Sequence, residues 1–518
     1  MSQARQKHLN QALMRIARRA ESTDRYTLAT TYVGAGSFSA VLNSADHQIL
    51  YGRRGTGKTH ALRYLSDLVE NTGDLFVYID LRTIGSAGGL YADSTMSTSV
   101  RGTQLLVDTL EAIHEELLEI ALEREGADQD RLLRALDALV DASTAVEVVG
   151  EVQRETTVDD ATESGRGISV NLSTHPSVTV SGKKRKAVTE QNRLRRTGIE
   201  QHRVLFGRLG RALRALTDSL APARLWLLLD EWSSIPLDLQ PLLADLLRRT
   251  VLPVAGITVK IAAIERRSRF FAPAEGGDYL GIEVGADAAS AVSLDDIMIF
   301  DHERHRAEEF FGQLFFNHTS GKLATMIGNP PADATVFVAE TFQGNAFAEL
   351  VRAAEGIPRD AINIAALAAQ HANGDPIGLA EVRRAARDWY LRDKQAAINT
   401  NEPARRMLQS LIDEVVGRRR SRTFVVDQSI GGRHAMIDSL YDARLLHVLR
   451  RGLVDRHNPG KLYDGFAVDY GCYVALLLEG DPHFRPRDRG GWLSSPRSVP
   501  PEDFSFARTE VDLSALGS

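Results

Sequence analysis

The side chains best suited to chemistry lie in two short segments. The first, HQILYGRRGTGKTHAL, runs from an apolar stretch through Gly52, Arg53, Arg54, Gly55, Thr56, Gly57, Lys58 and Thr59 into a helix-like stretch with His60, Leu62 and Leu65. It fits the pattern G-x-x-x-x-G-K-[ST], with strand-like sequence before it and helix-like sequence after it. The second, RLWLLLDEW, reads as a buried strand over Leu225 to Leu229 that ends on Asp230 and Glu231. A triphosphate is a dense anion, and backbone N–H groups turned outward hold it well. Gly52, Gly55 and Gly57 let a loop curl closely around such a group, and a helix starting near Lys58 adds unpaired N–H groups and the positive end of its dipole. Lys58 is then expected at the β- and γ-phosphates and the Thr59 hydroxyl on Mg²⁺. Asp230 is expected to hold the same ion through water, and Glu231 to orient and activate the attacking water. Either segment alone could be a glycine-rich turn or a solvated pair of charges. Their flanking patterns and their co-occurrence favour a nucleoside triphosphate site formed by residues 52–60.

Alternating strands and helices must position these groups. Strands are expected at His47–Tyr51, Leu75–Leu81, Val259–Glu265 and about Ala291–Phe300, with helices over 103–122 and 237–249. That alternation implies an α/β fold, a parallel P-loop sheet with its site at the carboxyl ends of the strands. The gap between Lys58 and Asp230 holds an insert at about 124–196. Its first part is helical, with Leu132, Leu133, Leu136 and Leu139 in register. Its later part, ISVNLSTHPSVTVSGKKRK, alternates like a hairpin turning near His175 and Pro176. Residues 151–166 between them are polar and read as mobile. From about 335 the pattern is helical. A helix over Ala404–Val416, a basic RRRSR run, a helical stretch at 434–450 and a hairpin turning at Asn458-Pro459-Gly460 then describe a winged helix. The expected organisation is a core at 1–334, a helical lid at 335–400, a winged-helix domain at 401–480 and an extended tail at 481–518.

At 518 residues the chain exceeds a single core. Its 43% hydrophobic and 25% charged residues are ordinary for a soluble protein, and no apolar run approaches a membrane span. The net charge of −6 excludes a general polyanion binder, so any nucleic-acid contact must be a local patch. Leu9, Leu13 and Ile16 share one helical face in an Arg-rich start, which reads as a short amphipathic helix packed on the core rather than a transit peptide. The single cysteine, Cys472, lies in GCYVALLL and reads as a small buried hydrophobe. His302 and His305 lack further zinc-type ligands and read as exposed helix residues. The default location is the cytoplasm.

GRRGTGKT, LWLLLDE, the helical lid and the winged helix together resemble the AAA+ ATPases of the origin-recognition type, and more loosely the STAND signalling ATPases. The resemblance implies ATP and Mg²⁺ as ligands. Within the lid, Gly356-Ile357-Pro358-Arg359 is similar to the AAA+ motif whose arginine, sensor 2, reaches back to the nucleotide; Pro358 favours a helix start and fixes Arg359 in its first turn. Arg266, just after the fourth core strand, is the candidate for sensor 1. Arg267 and Arg269 could face a neighbouring subunit as arginine fingers, or be surface salt-bridging arginines. Two functions fit. One is an ATP-hydrolysing switch that couples nucleotide state to self-association or to a separate effector protein, similar to origin-recognition-like ATPases of bacterial defence modules. The alternative is an initiator-like ATPase that binds duplex DNA, with Arg418, Arg419, Arg420 and Arg422 on phosphates. Asp438, Asp442 and the leucines at 440, 445, 446 and 449 suit packing better than a major groove. The KKRK run at 183–186 reads as a solvated hairpin end.

Overall fold

The computed structural model of the chain describes residues 3–34, 38–84, 97–123, 127–143, 147–154, 194–201, 205–273, 279–287, 290–295, 304–419, 421–431, 435–454, 460–478, 510, 511 and 513. Its centre is a five-stranded sheet of β1 (Gln48–Tyr51), β2 (Leu75–Asp80), β3 (Leu225–Asp230), β4 (Ile257–Ala263) and β5 (Ser290–Ser293), in the order β2-β3-β4-β1-β5. All four pairings are parallel. Every residue of β3 and β4 is buried, as expected of strands covered by helices on both faces. Successive side chains of β3 alternate between those faces. Leu225, Leu227 and Leu229 join Leu110, Leu136, Leu213 and Leu243 on one side, while Trp226 and Leu228 meet Phe38, Leu62 and Leu65 on the other. Each such leucine contributes roughly 1.5–3 kcal/mol.

Four sequence expectations shift. The strand read to Glu265 ends at Ala263, and Glu265–Arg267 form a 3₁₀ turn. The strand read over Ala291–Phe300 is Ser290–Ser293; residues 296–300 lie outside the described residues. Within the insert, helix Ala127–Ser143 is present and Glu147–Arg154 pairs antiparallel with Leu194–Gln201. The hairpin read at 168–180, the polar 151–166 beyond Arg154 and the KKRK run lie outside the described residues. The helix read over 434–450 stops at Asp442, and Leu446 begins a strand.

A second hydrophobic cluster runs through helices Arg304–Met326, Ala346–Ala354, Pro358–Ala372 and Leu379–Trp389 and onward to Val474. The N-terminal helix Gln3–Met14 joins it through buried Leu9 and Leu13. Asn10 Nδ2 donates to the Asp375 carbonyl at 2.9 Å, so this helix straps the helical unit rather than the sheet. Beyond it, helix Glu402–Leu411 precedes a three-stranded antiparallel sheet of β6 (Thr423–Asp427), β7 (Leu446–Val454) and β8 (Leu462–Val468), in the order β6-β8-β7. Cys472 is buried in helix Tyr470–Leu478, and His305 is exposed on helix Arg304–Met326. Residues 455–459 of the expected turn, His302 and most of 481–518 lie outside the described residues. No helix among the described residues is long and apolar enough to cross a membrane.

Candidate functional site

β1 stops at Tyr51, and the chain turns through residues 52–57 into helix Lys58–Asn71. Two residues of this turn have left-handed backbone, Gly55 at φ +90 and Gly57 at φ +97, where a side chain would strain the loop. The Lys58 ammonium lies inside the turn, donating to the carbonyls of Gly52 at 2.7 Å and Arg53 at 3.1 Å. Burial pushes its pKa down, while Asp230 and Glu231 oppose that shift. Thr59 Oγ1 donates to Asp230 Oδ2 at 2.6 Å, and the Tyr78 hydroxyl reaches the same oxygen at 2.7 Å. Glu231 follows in left-handed backbone, φ 58, a conformation that costs an ordinary residue about 1–2 kcal/mol. Its N–H donates to Asp230 Oδ1 at 2.8 Å. A hydroxyl and a carboxylate side by side are the hard oxygen donors that Mg²⁺ prefers, and a glycine turn leading into a helix N-terminus is suited to an anion. The donor set fits the metal and the triphosphate.

The helical unit closes over this turn. Pro358 opens helix Pro358–Ala372, and the Arg359 N–H donates to the Gly55 carbonyl at 3.1 Å. The Arg359 guanidinium makes no hydrogen bond to a described residue; burial, then Arg444, lowers its pKa. Beside Thr56 and Gly57 a small cavity of ≈ 60 Å³ is walled by Tyr32, Phe38, His60, Leu294 and His318. His60 Nε2 lies 2.6 Å from the Leu28 carbonyl, and its ring meets Tyr32 and His318 edge-on, at 5.4 and 5.9 Å. Burial pushes both imidazoles down, His318 to about 4, so neutral rings line a slot suited to a flat base.

The remaining sequence candidates go elsewhere. Arg53 is 2% exposed, and both its N–H and its Nε donate to Asp295, at 2.9 and 2.7 Å. It is therefore an internal anchor of the turn and not a phosphate ligand in this arrangement. Arg54 is half exposed, with Nε 3.5 Å from Asp442. Arg266 is not brought to the turn either: it pairs with Asp438 at 2.8 Å and Asp464 at 3.3 Å and lies over the Tyr441 and Phe466 rings. Arg267 pairs with Asp442 at 3.1 Å, and Arg269 is exposed. Tyr32, Tyr78, Asp295 and His318 carry no motif, so sequence reasoning passes over them; only the carboxyl-end position of Asp295 after β5 hints at the site.

A family model matches residues 17–69, which span the short helices Arg25–Thr31 and Phe38–Leu42, β1, the glycine turn and most of the following helix. This segment is similar to the family described as ORC-CDC6-like. The ORC-CDC6-like match thus falls on the part of the chain that encloses the proposed ligand. No curated protein matches. The structure of the Aeropyrum pernix Orc1 protein in complex with DNA is similar over 89% of this chain and 97% of that one, at 13% identity and a TM-score of 0.30, a likeness too loose to transfer any residue's role. The chain's own five-stranded parallel sheet, with the glycine turn between β1 and the following helix, is an α/β fold with a P-loop arrangement.

Proposed function

We propose that the protein binds ATP with Mg²⁺ and hydrolyses it slowly, using the nucleotide state to set the placement of its helical and C-terminal units. The meeting of Thr59 and Asp230 beside Lys58, under Arg359, carries this reading. The turn's N–H groups and Lys58 bind the phosphates, and Thr59 and Asp230 hold the ion. When bound, Mg²⁺ neutralises charge on the β- and γ-phosphates. Glu231 takes the proton of the attacking water. Arg359, whose guanidinium makes no hydrogen bond to a described residue, pairs with the γ-phosphate and draws the helical unit down. On this reading residues 335–400 act as a lid and 401–480 as a winged helix, whose movement recruits a second copy or an effector protein.

Initiator-like DNA binding is the weaker reading. Helix Ala435–Asp442, the element a winged helix would offer to a groove, directs Asp438 and Asp442 to Arg266 and Arg267 of the core. Arg418 and Arg419 pair with Glu414, and Arg422 with Glu355; Arg420 lies outside the described residues. The deciding experiment is MgATP turnover with and without duplex DNA. Wild type should turn over ATP indifferently to DNA, and Glu231→Gln should lose about 10²–10⁴-fold of the rate while still binding ATP. Strong salt-sensitive stimulation by DNA would favour the initiator reading, and equal turnover by Glu231→Gln would refute the assigned base.

A further inference from the structure

A line of buried charges that hydrolysis does not require joins the glycine turn to the C-terminal sheet. It starts at Arg53, whose Nη1 contacts His447 Nδ1 on β7. His447 Nε2 lies 2.9 Å from Asp469 Oδ2, which also takes Lys394 Nζ at 2.6 Å. Lys394 reaches Asp360 at 2.9 Å, and Asp360 pairs with Arg444. Asp360 adjoins Arg359, whose N–H returns to Gly55. The line is therefore a closed circuit through turn, helical unit and C-terminal sheet. Arg53, Asp360, Lys394, His447 and Asp469 are each at most 2% exposed.

The chemistry at His447 is one-directional. A guanidinium only donates, so Nδ1 must accept; Nε2 then carries the proton and donates to the Asp469 carboxylate. A second ring proton would point at Arg53. Glu355, Asp469 and Arg53 face the ring, with Asp295 behind Arg53, and burial holds the imidazole neutral, as the tautomer requires. Glu355, His447 and Asp469 lie close enough to share a cation, but Arg422, Arg53 and Lys394 already occupy them.

We infer that His447 is a positioning residue for the glycine turn: through Arg53 it fixes the turn to the C-terminal sheet, so the turn's geometry and the placement of that sheet change together. Any ligand that reshapes the turn then moves the sheet, and the coupling is reciprocal. The inference rests on the nucleotide reading only for its affinity readout.

The test compares full-length wild type, His447→Asn, His447→Gln and His447→Leu. Asn Oδ1 stands where Nδ1 stood and can accept from Arg53. Gln Nε2 stands where Nε2 stood and reaches only Asp469. The first readout is hydrogen exchange of amides 52–57 without nucleotide; the second is MgATP affinity. Losing a buried charge-assisted hydrogen bond should speed turn exchange and weaken affinity by about ten- to hundredfold in the Leu and Gln variants, with Asn close to wild type. A merely space-filling role would treat Asn and Gln alike, and turn exchange unchanged in His447→Gln would overturn the inference. Should His447→Leu fail to fold, the Asn and Gln pair decides alone. If wild type binds no nucleoside triphosphate, the proposed function fails, yet the exchange comparison still decides the role of His447.

Discussion

Replacing Gly55 with alanine tests whether the helical unit lies on the glycine turn as described. Gly55 and Gly57 share nearly the same backbone, φ +90 and +97, yet differ in surroundings. A Cβ on Gly57 meets nothing within 4 Å, whereas one on Gly55 falls 2.6 Å from Arg359 Cβ and 3.3 Å from Ile357 Cγ2. Gly57→Ala therefore carries backbone strain alone, about 1–2 kcal/mol. Gly55→Ala carries the same strain plus an overlap with backbone-proximal atoms that rotamer change does not relieve, about 1–3 kcal/mol more. It also displaces the Arg359 N–H from the Gly55 carbonyl, a bond of about 0.5–1.5 kcal/mol net. The assay is thermal unfolding without nucleotide, with hydrogen exchange over 356–363 as a local probe. An excess of about 2 kcal/mol in Gly55→Ala should lower the midpoint by roughly 4–8 °C beyond that of Gly57→Ala, for a cooperative unit of this size class. Exchange should rise at the start of helix Pro358–Ala372 in Gly55→Ala only. Equal midpoints and equal exchange in the two variants would refute the placement of Arg359 on the turn, and with it the lid mechanism.

Three further outcomes follow from the same geometry. Asp230→Asn keeps the contacts to Thr59 and Tyr78 in shape but removes the charge, so the Mg²⁺-dependent part of ATP affinity, read as the ratio of affinities with Mg²⁺ and with EDTA, should fall toward one; a ratio like wild type's would remove Asp230 from the ion site. His318 has its pKa lowered from 6.5 to about 4 by burial, then by His60 and Lys322, so between pH 6.5 and 4 the unfolded chain binds more protons. Stability should thus be complete above 6.5 and fall on acidification through that window, by up to about 3 kcal/mol; the difference in melting temperature between wild type and His318→Phe should shrink from pH 7 to pH 4.5, and a constant difference would count against it. Arg266→Ala removes the cation paired with two half-buried carboxylates, Asp438 and Asp464, the latter keeping its bond from Gln428 Nε2, and should cost roughly 2 kcal/mol of stability with turnover per folded molecule nearly unchanged. A large loss of turnover at wild-type stability would instead return Arg266 to the nucleotide.

What the sequence disclosed and what it hid divide along the range of the interactions. The turn at 52–59 and the strand at 225–230 announce themselves because their signals are local: glycines where φ must be positive, and an unbroken apolar run where both faces of a sheet are covered. Pro358 likewise marks a helix start that the fold uses. The run Leu445, Leu446, Val448, Leu449 is apolar in a way that suits either a helix or a strand, and pairing with β8 makes it β7. The arginines are the hardest to read. Arg53 sits inside the most specific motif of the chain and still turns inward, because Asp295 and His447, 242 and 394 residues away along the chain, are there to receive it. Arg266 and Arg422 look like phosphate ligands until their carboxylate partners on other elements are in view.

That inward turn has a physical consequence. Buried ion pairs are weak sources of stability, since desolvating both charges cancels most of their attraction, but removing one partner is costly. A circuit of such pairs therefore tolerates few alternative arrangements: each group is satisfied only while every neighbour keeps its place. Apolar packing between the same units would hold them together without fixing their register so narrowly. Arg53 belongs to the turn by its backbone and to the C-terminal sheet by its side chain, so a phosphate that shifts the backbone by a fraction of an ångström must either strain the contact with His447 or carry the sheet along. A protein that only hydrolysed ATP would have no use for that dependence; one that reports its nucleotide state to a partner does.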